Sequence, residues 1–203
     1  MQIKKIFPLV ILCGSTFASA APVYLTSPVD PSLAASSLID FNAEAQGSFV
    51  SRSFGGGAVT IGTAGSALDI ENSYLGGYGT SGNYFANAAG GNGFDIVFTD
   101  DVSAFGFNWG SANVAWTMQL FDASSILIGS FVVPAQSGAF AGFVGVDGNG
   151  LMIKSVNMVP SAYDYVLLDD LKFTPCGTSV PEPAPLALLG LGMLGFLGAR
   201  RRK

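Results

Sequence analysis

The chain reads as an all-β protein, an antiparallel two-sheet sandwich of jelly-roll type, with an immunoglobulin-like sandwich as the alternative. Three observations predict this. Apolar residues recur with a period of two in several short segments rich in Val, Ile, Phe and Tyr. Clusters of Gly, Asn, Asp and Ser separate those segments and supply turn chemistry. Between residues 21 and 180 no long stretch shows helical periodicity.

The elements follow in chain order. Leu38–Phe41, Ala58–Ile61 and Ala67–Ile70 read as strands. Gly76–Gly93, rich in Gly, Asn, Ser and Tyr, reads as one long loop of the kind that often carries function. In Gly93–Thr99, Phe94, Ile96 and Phe98 share a face; in Ala104–Trp109, Phe105, Phe107 and Trp109 do. Trp116, Met118 and Leu120 do the same in Ala115–Asp122. Asp122-Ala123-Ser124-Ser125 breaks the pattern and Ile126–Val133 resumes it, which predicts a hairpin. Phe140–Val146 is the next strand, ended by the turn Asp147-Gly148-Asn149-Gly150. Leu151–Val159 and Tyr163–Thr174 follow, on either side of Pro160-Ser161-Ala162. In the last strand Tyr165, Leu167, Leu171 and Phe173 are expected inward, which puts Asp169 on the inward phase unless a bulge shifts the register.

The two ends read as address labels. Lys4 and Lys5, the apolar run Ile6–Phe17 and the small-x-small triplet Ala18-Ser19-Ala20 form a secretory signal, cut by signal peptidase after Ala20. At the other end, Pro181, Pro183 and Pro185 prevent a helix or an inner strand. Leu186–Ala199 then runs uncharged into Arg200, Arg201, Arg202 and Lys203. Its fourteen residues make a helix of about 21 Å, short against a hydrocarbon core of about 30 Å unless the arginines snorkel. The cationic foot is expected to stay cytoplasmic, with the body across the membrane. The organisation is therefore 1–20 signal peptide, 21–178 β-sandwich, and 179–203 sorting tail with a membrane helix over 186–199.

Val180-Pro181-Glu182-Pro183, the glycine-rich apolar segment and the arginine cluster together resemble the PEP-CTERM sorting signal of Gram-negative bacteria. The resemblance implies recognition by exosortase, with Pro181, Glu182, Pro183, Arg200, Arg201 and Arg202 as the sorting and processing residues. It also implies transit through the inner membrane on a transient anchor. The destination it implies is the cell surface or extracellular matrix, in association with exopolysaccharide or biofilm. Ala104–Ser111 followed by Thr117–Asp122 is similar to exported PEP-CTERM β-proteins. Phe140-Ala141-Gly142-Phe143, Ile153, Val156 and Leu168-Asp169-Asp170-Leu171 resemble the endings of lectin-like and carbohydrate-binding jelly rolls.

Composition excludes several functions. Residues 21–180 hold three cations (Arg52, Lys154, Lys172) against thirteen anions, a net charge of −10. Such a surface repels phosphate backbones, so nucleic acid is not an expected partner. The chain has no histidine, which removes a histidine-based triad and a histidine-ligated zinc site. Once the leader with Cys13 is removed, Cys176 is alone and no intramolecular disulfide is available. Gly55-Gly56-Gly57 lacks phosphate-loop spacing. Adjacent aspartates on a strand point to opposite faces, so neither Asp100-Asp101 nor Asp169-Asp170 makes a convergent acid–base pair.

The expectation is thus a non-catalytic binding or structural module. A glycan-processing enzyme using paired aspartates and a purely structural coat protein are the alternatives. Tyr74, Tyr78, Tyr84 and Trp109 are the candidate sugar-stacking rings. Calcium is the one candidate cofactor, at Asp147, Asn149, Asp169 and Asp170, because it prefers hard oxygen ligands.

Overall fold

The computed structural model describes residues 21–65, 67–74, 80–87, 93–136 and 142–177. The expected leader and sorting tail, with the membrane helix over 186–199, and Tyr78 lie outside the described residues. Among the described residues no helix is long and apolar enough to cross a membrane.

Thirteen strands are described, all paired antiparallel: β1 Val23–Leu25, β2 Ser37–Ile39, β3 Gly47–Phe49, β4 Ser51–Phe54, β5 Val59–Gly62, β6 Leu68–Glu71, β7 Tyr84–Ala86, β8 Phe94–Gly110, β9 Trp116–Phe121, β10 Leu127–Val133, β11 Gly142–Asp147, β12 Ile153–Pro160 and β13 Leu167–Pro175. The first half of β8 lies between β5 and β12, giving a first sheet in the order β4-β5-β8-β12-β9-β10. Its second half lies between β11 and β13, giving a second sheet β1-β11-β8-β13-β7-β6-β3, with β2 beside the later part of β13. The result is the expected jelly-roll-like sandwich. The ladder passes from one sheet to the other along β8.

That crossing has a cause in the side chains. The buried phase of β8 is even at Phe94, Ile96, Phe98 and Val102, and odd at Phe105, Phe107 and Trp109. A strand changes phase where the ladder is irregular, and both partners show a register shift there, at Ile153/Ser155 and at Thr174/Pro175. The sequence pattern reads Gly93–Thr99 and Ala104–Trp109 as separate strands. The structure keeps one strand and places the exposed or half-exposed Asp100 and Asp101 at the crossing.

Rings from the two sheets meet in the middle. Phe98 lies 5.8 Å from Phe173, Phe94 lies 4.9 Å from Phe85, and Trp109 and Trp116 pack edge to face at 5.3 Å. These contacts, with Ile61, Leu120, Met118, Val144, Val156 and Leu171, form one continuous core. Burial of this apolar area at about 25 cal/mol per Å² is the dominant favourable contribution to folding.

Two expectations need correction. The loop over 76–93 is interrupted by β7, whose Tyr84, Phe85 and Ala86 are all buried. In β13 the inward set is Leu168, Leu171 and Phe173, whereas Leu167 and Tyr165 pack with Tyr84 and Ala86 on the other side of the second sheet. A register shift between Asp169 and Lys172, with Asp170 at φ 51°, resets the phase. The bulge anticipated as the alternative is therefore present.

Candidate functional site

The two sheets differ in what covers their outer faces. On the second sheet, Leu25 and Leu33 from the N-terminal segment cover Ala104 and Phe143. Tyr84, Ala86 and Leu167 form another outer cluster with Tyr165. Outward positions of the first sheet belong to none of these clusters.

The register of the first sheet aligns its outward residues in rows across the strands. One row runs Ser51, Gly62, Asp95, Asn157, Gln119, Ser130. The next runs Ser53, Thr60, Val97, Ser155, Phe121, Leu127, and a shorter row on the opposite side holds Val159, Thr117 and Val132. A rank of hydrogen-bonding side chains thus lies between partly apolar flanks. Val97, Val132, Val159 and Leu127 are exposed. Within the rank, Asn157 Nδ2 donates to Asp95 Oδ1 at 2.6 Å. At the edge of the sheet the Ser53 and Thr60 hydroxyls share a hydrogen bond of 2.9 Å.

A groove of about 420 Å³ opens at this rank, lined by Thr63, Gly65, Gly93, Asp95, Asn157 and Val159. Its wall is held by Thr63, whose Oγ1 donates to the Gly93 carbonyl at 3.0 Å and accepts from Gly65 N at 3.1 Å. The groove offers carboxylate, amide and hydroxyl groups and no cation. The three body cations are all bonded elsewhere. Arg52 pairs with Glu44 at 3.0 Å and lies against the Phe49 and Phe54 rings. Lys154 Nζ donates to the Thr99 carbonyl at 2.7 Å and lies 3.8 Å from Asp101. Lys172 Nζ donates to the Pro28 carbonyl at 3.3 Å.

The residues singled out in the sequence do not converge on this face. Trp109 is fully buried between Phe94, Phe107 and Trp116, and Tyr84 is fully buried with its hydroxyl accepting from Tyr74 N at 2.8 Å. Neither ring is a stacking platform, because core packing absorbs both. Burial, with the nearby Glu71 and Tyr74, pushes the Tyr84 hydroxyl up to about 12, although the Tyr74 N–H opposes the rise. Tyr74 alone of the described three keeps an exposed ring, packed edge-on against Tyr165 at 6.2 Å. Burial, followed by the Glu71 carboxylate that accepts from its hydroxyl, also raises the Tyr165 pKa.

The four oxygen-bearing residues named for calcium fall in two places. Asp147 Oδ1 accepts from Asn149 N at 2.7 Å, closing an Asx turn in which Asn149 adopts φ 50°. Asp147 stands opposite Ala104 of β8, and Asp169 opposite Asn108. Four residues of strand separate those positions, about 13 Å at about 3.3 Å each. Asp169 is buried and accepts from the backbone N–H groups of Ser81 (3.2 Å) and Asp170 (2.8 Å), while Asp170 Oδ2 accepts from Asn108 Nδ2 (2.9 Å). Burial, with Asp170 and Asp40 nearby, pushes the Asp169 carboxyl up to about 6. Among the described residues no group of three or more Asp, Glu, Cys or His side chains is placed to hold a metal.

The rank on the open sheet escaped sequence reasoning because Asp95, Gln119, Ser130 and Asn157 are far apart in the chain. Only their outward phase was legible.

No curated protein matches the chain. Among solved structures, it is similar to the family 11 carbohydrate-binding module of the cellulosomal cellulase Lic26A-Cel5E of Clostridium thermocellum, at 13% identity and TM-score 0.38 over 69% of this chain and 94% of that one. It is also similar to the K2 cleaved adhesin domain of Lys-gingipain, at 11% identity and TM-score 0.36 over 75% and 99%. A family 29 carbohydrate-binding module is similar at 9% identity and TM-score 0.36 over 68% and 91%. Residues 179–203 match the PEP-CTERM protein-sorting motif. With that motif behind an antiparallel β-sandwich, the chain is an exported protein carrying a PEP-CTERM sorting tail.

Proposed function

We propose that this exported protein is a non-catalytic glycan-binding module of the cell surface or extracellular matrix, delivered by exosortase acting near Pro181-Glu182-Pro183. Its binding surface is the open face of the first sheet, and exopolysaccharide is the partner. The observation that carries the reading is the pairing of an export motif with a sandwich in which the described residues leave one sheet face uncovered and lined with amide, carboxylate and hydroxyl groups. A non-catalytic role is supported by the aspartates. Asp169 is buried and tied to two backbone N–H groups, and Asp170 accepts from Asn108, so both carboxylates are engaged in hydrogen bonds within the fold.

The test has two arms in the native host. Deleting Pro181–Lys203 should leave the protein away from the surface fraction that the intact chain reaches; equal surface delivery would remove the sorting half of the proposal. The intact protein should co-sediment with exopolysaccharide prepared from the same cells, and its full recovery in the supernatant would remove the glycan half.

A further inference from the structure

We infer, resting on the glycan-binding reading, that the open face takes a neutral, hydroxyl-rich polysaccharide laid across the strands, and not an acidic one. The rank Asp95–Asn157–Gln119–Ser130 occupies four adjacent strands in register. Neighbouring strands lie about 4.8 Å apart, so the rank spans about 14 Å and presents one hydrogen-bonding side chain per strand. A chain of sugar rings crossing the strands meets these groups in succession, with Val97 and Phe121 on one side and Val159 and Val132 on the other.

The donors and acceptors of the rank are largely unspent. Asn157 uses one N–H on Asp95 Oδ1 and keeps its second N–H and its carbonyl oxygen. The Gln119 and Ser130 side chains make no hydrogen bond among the described residues. Amides and hydroxyls that both donate and accept suit sugar hydroxyls, which also do both.

Charge decides between the glycan classes. A uronate, sulfate or phosphate on the ligand needs Arg or Lys to replace its hydration. The rank contains none, and Arg52, Lys154 and Lys172 are bonded to Glu44, Thr99 and Pro28. The charged group that does stand in the groove is the Asp95 carboxylate. It repels an anionic chain, as does a net charge of −10 over residues 21–180.

The experiment is affinity electrophoresis of the full chain in non-ionic detergent, with EDTA present. The gels contain hydroxyethyl cellulose, glucomannan or dextran as neutral probes, and alginate as the acidic probe. The expected result is retardation by at least one neutral polysaccharide and none by alginate. Asn157→Ala and Gln119→Ala should each weaken the retardation about fivefold, the loss of about one hydrogen bond, with an unchanged melting temperature for Gln119→Ala and a lowered one for Asn157→Ala, which also loses its bond to Asp95. Stronger retardation by alginate, or by alginate only when Ca²⁺ replaces EDTA, would overturn the neutral class and leave the glycan reading standing. Retardation by none of the probes would overturn both. Retardation indifferent to both substitutions would overturn the assignment to this face.

Discussion

The indole Nε1–H of Trp116 donates to Oδ2 of Asp164 at 2.9 Å, and both residues are buried. The same carboxylate also accepts from the backbone N–H groups of Asn113 (3.1 Å), Val114 (3.4 Å) and Tyr165 (3.0 Å). One aspartate therefore ties the loop after β8 to the loop before β13 and anchors a core ring. Trp109, packed edge to face on Trp116, has a buried Nε1 with no hydrogen-bond partner among the described residues.

Asp164→Ala should cost about 3 kcal/mol, because it leaves several buried N–H donors unpaired at once. Urea unfolding followed by tryptophan fluorescence measures this, since the chain has two tryptophans and both are buried. Trp109→Phe should cost less than Trp116→Phe, because only the latter removes a made hydrogen bond. A loss under about 1 kcal/mol for Asp164→Ala would remove the anchoring role.

Asp169 should give the fold a pH signature. Its folded value of about 6 lies above the ordinary 3.8, so the folded state favours the protonated carboxyl. The contribution is fully present below 3.8 and is lost as pH rises through about 6. Asp169→Asn should flatten that segment of the melting-temperature profile relative to the parent. Its absolute stability should fall, because an amide nitrogen then meets a backbone N–H of Ser81 or Asp170. Parallel profiles for the two proteins between pH 4 and 6.5 would refute the assignment.

Close approach in the second sheet should make two glycines unequal. A Cβ on Gly106 meets Phe143 Cζ at 2.3 Å, whereas a Cβ on Gly145 meets the Phe105 carbonyl oxygen at 2.6 Å. A ring can turn aside and a paired backbone cannot. Gly106→Ala should cost about 1 kcal/mol and Gly145→Ala about 3 kcal/mol in chemical denaturation. Phe143→Ala should relieve the first and not the second, and the reverse order would contradict the packing described.

Much of the architecture was written in alternation. Phe94, Ile96 and Phe98, then Phe105, Phe107 and Trp109, then Trp116, Met118 and Leu120, all occupy the core as their period of two requires. The turn at Asp122 was equally legible, and its carboxylate accepts from Ser124 N and Ile126 N, each at 2.9 Å. The strands Gly47–Phe49 and Ser51–Phe54 were not, because they are short and rich in Ser and Gly. They are strands because β6 and β5 lie beside them.

Local order along the chain therefore set most of the longer strands, the face that β9 and each half of β8 bury, and what address the tail carries. These depend on neighbours one to four residues apart. Strand partners, the phase change along β8, the burial of Tyr84, the side of the sheet on which Asp169 is buried, and the alignment of Asp95 with Asn157, Gln119 and Ser130 were decided only on folding. Each depends on a register between segments distant in sequence, and register is a property of packed strands in contact.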